Sequence, residues 1–464
     1  METTPMTATS TPAAHEAAHE AAHGGAAGTA APPVTASRTT APATTAPCTS
    51  APRAAVPRMH LLDLLRFGAA AAVVIYHFTA TPTASQYWGT DVSELFGPLN
   101  HVTRYGWLAV EAFFVISGFA ILISTQGRTV AQFTGSRIGR LYPALWACVL
   151  LTAVLQTFWA GGRDLSLADT VANLTMAPDL FGAELSQVVY WTLLVELKFY
   201  VLVGVLLAFG PITRGRAIAL ALAWPAVGIT VRALGYPMLA EHLVIRHSVY
   251  FGIGMMLFLL WKDATDRRHG MAAPDGRRGS ILTLGALAAL LVLATARVRE
   301  SADGATSLQG VEVYGWVSVG IFFGSVAAVW LAGHPRARIS SRPLATLAVT
   351  AGALTYPLYL VHTQFGWAVT EVLTVRGAGT WSVLTAATVA SLVLAAVIHH
   401  AVERPFSTRL RRAVTTALAA RTPVCPTPVA RPLDESGPDH AVPVMLVQVP
   451  AAAQPWMHQH HALR

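Results

Sequence analysis

Residues 61–78 read LLDLLRFGAAAAVVIYHF, a stretch that is apolar almost throughout yet carries Arg66 and His77. A charged group at the centre of a bilayer costs about 2.5–3.5 kcal/mol on insertion scales, so an ionisable residue inside a span marks a functional site by default. On an α-helix the eleven residues from Arg66 to His77 turn through about 1100°, about 20° beyond three full turns, and rise about 16 Å. The two side chains therefore share one helix face at different depths.

The rest of the chain has the composition of a protein dissolved in lipid. Of its 464 residues 53% are hydrophobic and 12% charged, against about a quarter charged in a soluble domain. The net charge of +8 does not point to nucleic acid, because the basic residues fall between apolar spans rather than along one run. Arginine dominates, with Lys198 and Lys262 the only lysines, which reads as compositional bias more than chemistry. Cys48, Cys148 and Cys425 lie too far apart to form a disulfide framework or a zinc spacing.

Residues 1–57 and 407–464 are rich in Ala, Pro and Thr and lack apolar periodicity, so both are expected to be disordered tails around a membrane domain at 58–406. The N-terminal tail lacks the order of a cleaved signal peptide, which leaves insertion to the first span. Ten segments reach spanning length: 61–80, 107–125, 141–160, 187–209, 217–234, 243–261, 280–296, 313–332, 345–369 and 381–401. With the N-terminus inside, the inner loops hold Arg128, Arg137 and Arg140, then Arg214 and Arg216, then Lys262, Arg267, Arg268, Arg277 and Arg278, then Arg336, Arg338 and Arg342. The outer loops hold Asp91, Glu94, Asp164, Asp169, Asp179 and Glu184 with a thinner scatter of arginine. This bias predicts an all-α, polytopic bundle of about ten transmembrane helices with both termini in the cytoplasm. No inverted repeat of the transporter kind is visible.

Three further constellations carry chemistry. Arg137 and Arg140 in SRIGRLYPALW are i and i+3 on one face, either ordinary positive-inside anchors or a fork for phosphate or carboxylate. In YWTLLVELKFY, Glu196 and Tyr200 share a face, whereas Lys198 lies about 200° round the helix from Glu196. Glu196 must then be protonated, face a watery cavity, or pair with a cation from another helix, for which Arg66 and His77 are the candidates. In LTYPLYLVHTQF, with Tyr356, Pro357 and Tyr359, His362 is either a hydrogen-bonded packing residue or part of the site. Weaker matches are set aside. HEAAH, at His15 and again at His19, formally fits a zinc-protease pattern but lies in a repeat without a third ligand. His458, His460 and His461 suit only adventitious metal, and Asn173 heads a glycosylation sequon on an expected outer loop. No metal site is expected, and neither a Gly-x-Ser-x-Gly elbow nor a P-loop is present.

Taken together these segments resemble the acyltransferase family 3 of integral membrane proteins. The resemblance runs from about 59 to 406 and rests on seven pieces in the family's order. They are LLDLLRF with the Arg-x10-His of Arg66 and His77, FFVISGF at 113–119, RIGRLYP at 137–143, YWTLLVELKFY at 190–200, YFGIGMM at 250–256, YPLYLVH at 356–362 and VERPF at 402–406. Lys198 departs from the neutral polar residue expected there, and no hydrolase-like domain follows the last span, which points to a stand-alone membrane catalyst.

The resemblance implies an O-acyltransferase that moves an acyl group, acetyl or another short one, from acyl-CoA to a hydroxyl of a sugar, a cell-surface glycan or glycolipid, or a natural product such as a macrolide. His77 would be the base, Glu196 or Asp63 would orient it, and Arg66 would meet the oxyanion or the donor. Arg137 and Arg140, with Tyr142, Tyr200 and His362, would bind substrate. Acyl-CoA is a donor substrate here, and no bound cofactor is expected. The expected location is the plasma membrane, as a multi-pass protein in contact with lipid and not with nucleic acid. The rival reading is a secondary transporter or glycolipid exporter that uses Arg66, His77 and Glu196 as a proton or anion relay.

Overall fold

The structure, a computed structural model, describes residues 58–420 apart from 243–244 and 272–274. The two HEAAH matches, the C-terminal histidines, Cys48 and Cys425 lie outside the described residues.

The chain is a bundle of helices: α1 (His60–Thr79), α2 (Pro82–Trp88), α3 (Val92–Phe96), α4 (Pro98–Thr103), α5 (Leu108–Thr125), α6 (Val130–Phe158), α7 (Leu167–Asn173), α8 (Trp191–Ala208), α9 (Arg214–Ala233), α10 (Pro237–His242), α11 (Ile245–Arg268), α12 (Gly276–Gln309), α13 (Gly315–Gly333), α14 (Arg342–Val375), α15 (Thr380–Ile398) and α16 (Arg404–Ala419). Among the described residues nine helices are long and apolar enough to cross a membrane. They match nine of the ten expected segments. The remaining segment, 243–261, becomes α11, whose 24 residues have spanning length but carry Arg246, His247 and Lys262.

α11 is the centre of the bundle. Every residue from Ser248 to Leu259 is buried, the signature of a helix surrounded by protein on all sides. Its Phe251 ring stacks on Phe199 of α8 at 4.2 Å and lies 4.9 Å from Phe114 of α5. α11 and α5 approach so closely that their glycines touch the opposing backbone. A Cβ on Gly118 would stand 2.1 Å from Phe251 O, and one on Gly254 2.0 Å from Val115 O. Small residues permit such contact in membrane bundles. Gly118→Val is therefore expected to cost about 3 kcal/mol or more by overpacking, seen as loss of the monodisperse peak in detergent chromatography. Gly204→Ala, whose Cβ would meet only Phe133 at 3.8 Å, should elute like wild type.

Three expectations are corrected. α6 begins at Val130 instead of 141, because Thr129 and Gln132 form a reciprocal capping box with both bonds at 3.2 Å. Arg137 and Arg140 thus sit about two and three turns inside the helix rather than at its mouth. The C-terminal tail does not start at 407, since α15 continues through a π turn at His399–Glu403 into α16. Ser407, Arg411 and Thr415, one turn apart, meet Gly135 and Gly139 of α6: a Cβ on Gly135 would stand 2.1 Å from Thr415 Oγ1, and one on Gly139 2.7 Å from Ser407 O. Finally, 159–190 is not a simple outer loop. It folds back along α6, where Trp146 Nε1 donates to Leu174 O at 3.0 Å and the Tyr142 hydroxyl to Thr175 O at 3.1 Å. Asn173 is buried there, its amide donating to Asp169 O and Glu184 O and its oxygen accepting from Ser186 N, so the sequon is closed to modification in the folded chain.

Candidate active site

Five helices enclose a cavity of about 90 Å³, room for several waters. Arg66 of α1, Arg137 and Arg140 of α6, and Glu196 and Tyr200 of α8 line it, with Ser117 of α5 and Tyr356 and Tyr359 of α14. Two interior prolines stand in its walls. Pro143 cannot donate to Gly139 O, nor Pro357 to Ala353 O, so α6 and α14 each lose one ladder bond beside the cavity. The Tyr356 hydroxyl ties these two helices together by donating to Leu141 O at 3.2 Å.

The cavity carries three guanidiniums against one carboxylate. Glu196 Oε1 accepts from Ser117 Oγ at 3.0 Å and from the Tyr200 hydroxyl one turn along its own helix. Among the described residues no guanidinium comes within ion-pair distance of it. Arg137 lies 5.7 Å over the Tyr200 ring and 5.9 Å over Phe133, which holds its charge on aromatic faces. Arg140 is exposed and Arg137 and Arg66 half-buried, so the cavity opens at Arg140. Of the three alternatives for Glu196, the structure gives it a polar cavity in which to face cations. An excess of positive charge in a low-dielectric cleft attracts an anion.

His77 stands apart from this cavity. It lies at the far end of α1, and its Nδ1 is 2.9 Å from Val73 O and 3.2 Å from His362 Nε2 on α14. The ring is walled by Tyr76, His362 and Trp367 at centroid distances of 5.2, 5.1 and 6.3 Å. Side chains also lock the backbone that carries it. A helix end leaves its last four carbonyls without partners, and here Tyr76 O accepts from Ala80 N, His77 O from Trp367 Nε1 and Thr81 Oγ1, Phe78 O from Trp88 Nε1, and Thr79 O from Asn100 Nδ2, all at 2.8–3.2 Å. α2–α4 therefore serve as a cap that fixes the end of α1. The histidines and the cavity are stacked: Tyr359 lines the cavity, and His362 follows it one turn along α14, about 4.5 Å of rise.

The two carboxylates expected to orient His77 do not reach it. Asp63 lies fourteen residues earlier on α1, about 21 Å away, and its Oδ2 accepts from Arg58 Nε at 2.8 Å. Glu196 is engaged by Ser117 and Tyr200. Tyr142 points away from the cavity to Thr175 and Trp146. Ser117, Tyr356 and Tyr359 join the cavity in addition to the residues expected there. Ser117 had a signal, as a lone hydroxyl inside the apolar FFVISGF. Among the described residues no group of His, Cys, Asp and Glu is placed to hold a metal ion.

Compared with known families, residues 59–400 match the model of the acyltransferase family 3, described as an acyltransferase domain. No curated protein and no solved structure matches the chain.

Proposed function

From the premise that this chain belongs to the acyltransferase family 3, and is a multi-pass membrane acyltransferase, we propose that it transfers a short acyl group from acyl-CoA to a hydroxyl of a sugar, glycolipid or natural product in the plasma membrane. The observation that carries the donor is the cavity with three guanidiniums and one carboxylate, because CoA is a polyanion. Arg137 and Arg140 would hold its phosphates and Arg66 would stand deeper, towards the thioester. With the N-terminus in the cytoplasm, as the loop charges favour, the cavity opens to the side where acyl-CoA is made.

His77 serves as the base. Its Nε2 takes the proton of the acceptor hydroxyl as that oxygen attacks the thioester carbonyl. The tetrahedral carbon then expels the thiolate, the C–S bond breaks, and the imidazolium returns the proton to sulfur. Products are the ester and CoA thiol.

Charge-assisted contacts are worth about 1.5–3 kcal/mol each, so Arg137→Ala should weaken acyl-CoA binding by about 10- to 100-fold. Titration of a non-hydrolysable acyl-CoA analogue into wild type and variant tests this, and equal affinities would remove Arg137 from the donor site. The relay reading is tested in the same preparation. Ester formation in detergent, where no gradient exists, is expected; substrate uptake by proteoliposomes without ester would favour transport.

A further inference from the structure

His362 is fully buried and has three polar neighbours. Its Nδ1 lies 2.9 Å from Tyr359 O and 3.2 Å from Leu358 O, and its Nε2 lies 3.2 Å from His77 Nδ1. Carbonyl oxygens only accept hydrogen bonds, so a nitrogen that faces two of them must carry the proton. His362 in its neutral form is thus an Nδ1–H tautomer with a bare lone pair on Nε2. The same rule applies to His77. Its Nδ1 faces Val73 O at 2.9 Å and that lone pair at 3.2 Å, two acceptors again. The proton of His77 must sit on Nδ1, where it is shared between them, which leaves Nε2 bare. Among the described residues Nε2 of His77 makes no hydrogen bond, and the residue is only half-buried.

We infer that His362 is the positioning residue of His77: backbone carbonyls of α14 fix its tautomer, and its Nε2 lone pair keeps the His77 proton on Nδ1 and aims Nε2 at the acceptor hydroxyl. The device does the work that a carboxylate does in many histidine bases, without a fixed negative charge in the membrane interior. It also accounts for the absence of Asp63 and Glu196 from the neighbourhood of His77. When Nε2 gains a proton during turnover, the Nδ1–H bond to His362 becomes charge-assisted and strengthens. Transfer of the Nδ1 proton to His362 Nε2 would only move the positive charge onto a second, fully buried imidazole, so it forms no part of the step. Three contacts hold the pair in register: Trp367 Nε1 on His77 O at 3.1 Å, the Tyr87 ring stacked on Trp367 at 5.1 Å, and the Tyr359 hydroxyl 2.8 Å from Thr192 Oγ1 at the turn before His362.

This inference rests on His77 as the base of the proposed transfer, and its test separates the two. His362→Leu removes the acceptor, and kcat should fall about 10- to 100-fold with KM for acyl-CoA unchanged, as for other groups that act on an imidazole through its far nitrogen. His362→Gln places an amide oxygen near the same point and should recover most of that loss. A purely structural role would lower the yield of both variants alike without a split between kcat and KM. Equal kcat in wild type and His362→Leu would overturn the inference while leaving the transferase standing. A second readout needs no activity. In wild type labelled with 15N-histidine, His77 and His362, assigned through their single variants, should each show a protonated Nδ1 and an unprotonated Nε2. A protonated Nε2 on either ring in the neutral protein would overturn the tautomer assignment, whatever reaction the protein performs.

Discussion

Replacement of His77 by alanine is expected to lower acyl transfer about 10²–10⁴-fold, the usual contribution of a positioned general base, with the protein still folded. The fold should survive because the interactions that lock this end of α1 go to backbone carbonyls, not to the imidazole. Trp367, Thr81, Trp88 and Asn100 all donate to main-chain oxygens of residues 77–79. Turnover should therefore fall while thermal unfolding in detergent shifts little. Wild-type turnover in His77→Ala would move the base elsewhere, and Glu196 would be the group to test next.

Glu196→Leu is expected to act in the opposite way, on stability first. Removal of the carboxylate leaves Arg66, Arg137 and Arg140 in one cavity without a counter-charge and strips the Tyr200 and Ser117 hydroxyls of their acceptor. The loss should be about 2 kcal/mol, because the Ser117 and Tyr200 hydroxyls are left without their acceptor while Glu196 itself is only half-buried. Glu196→Gln keeps an oxygen for Ser117 and Tyr200 and should lose about half as much. A calorimetric scan of the three proteins measures both. Identical transitions would show that the arginines do not depend on Glu196.

Much of this architecture is legible along the chain. A membrane helix must satisfy its own backbone, so apolar length and loop charge mark the spans one by one, and nine segments are found where those rules put them. α11 is apolar too, but its ends carry charge because protein rather than lipid surrounds it. α16 escapes the reading because an amphipathic helix rich in Arg, Ala and Thr has the composition of a tail; only the notch at Gly135 and Gly139 explains its place. Among the site residues, Arg66, Arg137, Arg140, Glu196 and Tyr200 meet in one cavity as ionisable groups in apolar spans should. The partner of His77 was not legible. A carboxylate was the expected choice, whereas the group present is a second histidine 285 residues away, and its tautomer depends on two carbonyls that no motif encodes.

The most direct measurement is the release of CoA thiol from short-chain acyl-CoA by the purified, monodisperse protein in detergent, with hydroxyl acceptors supplied in turn. Thiol release in step with ester formation on one acceptor is the predicted result. No thiol release from any acyl-CoA, with each acceptor class present, would contradict the assignment of acyl-CoA as the donor.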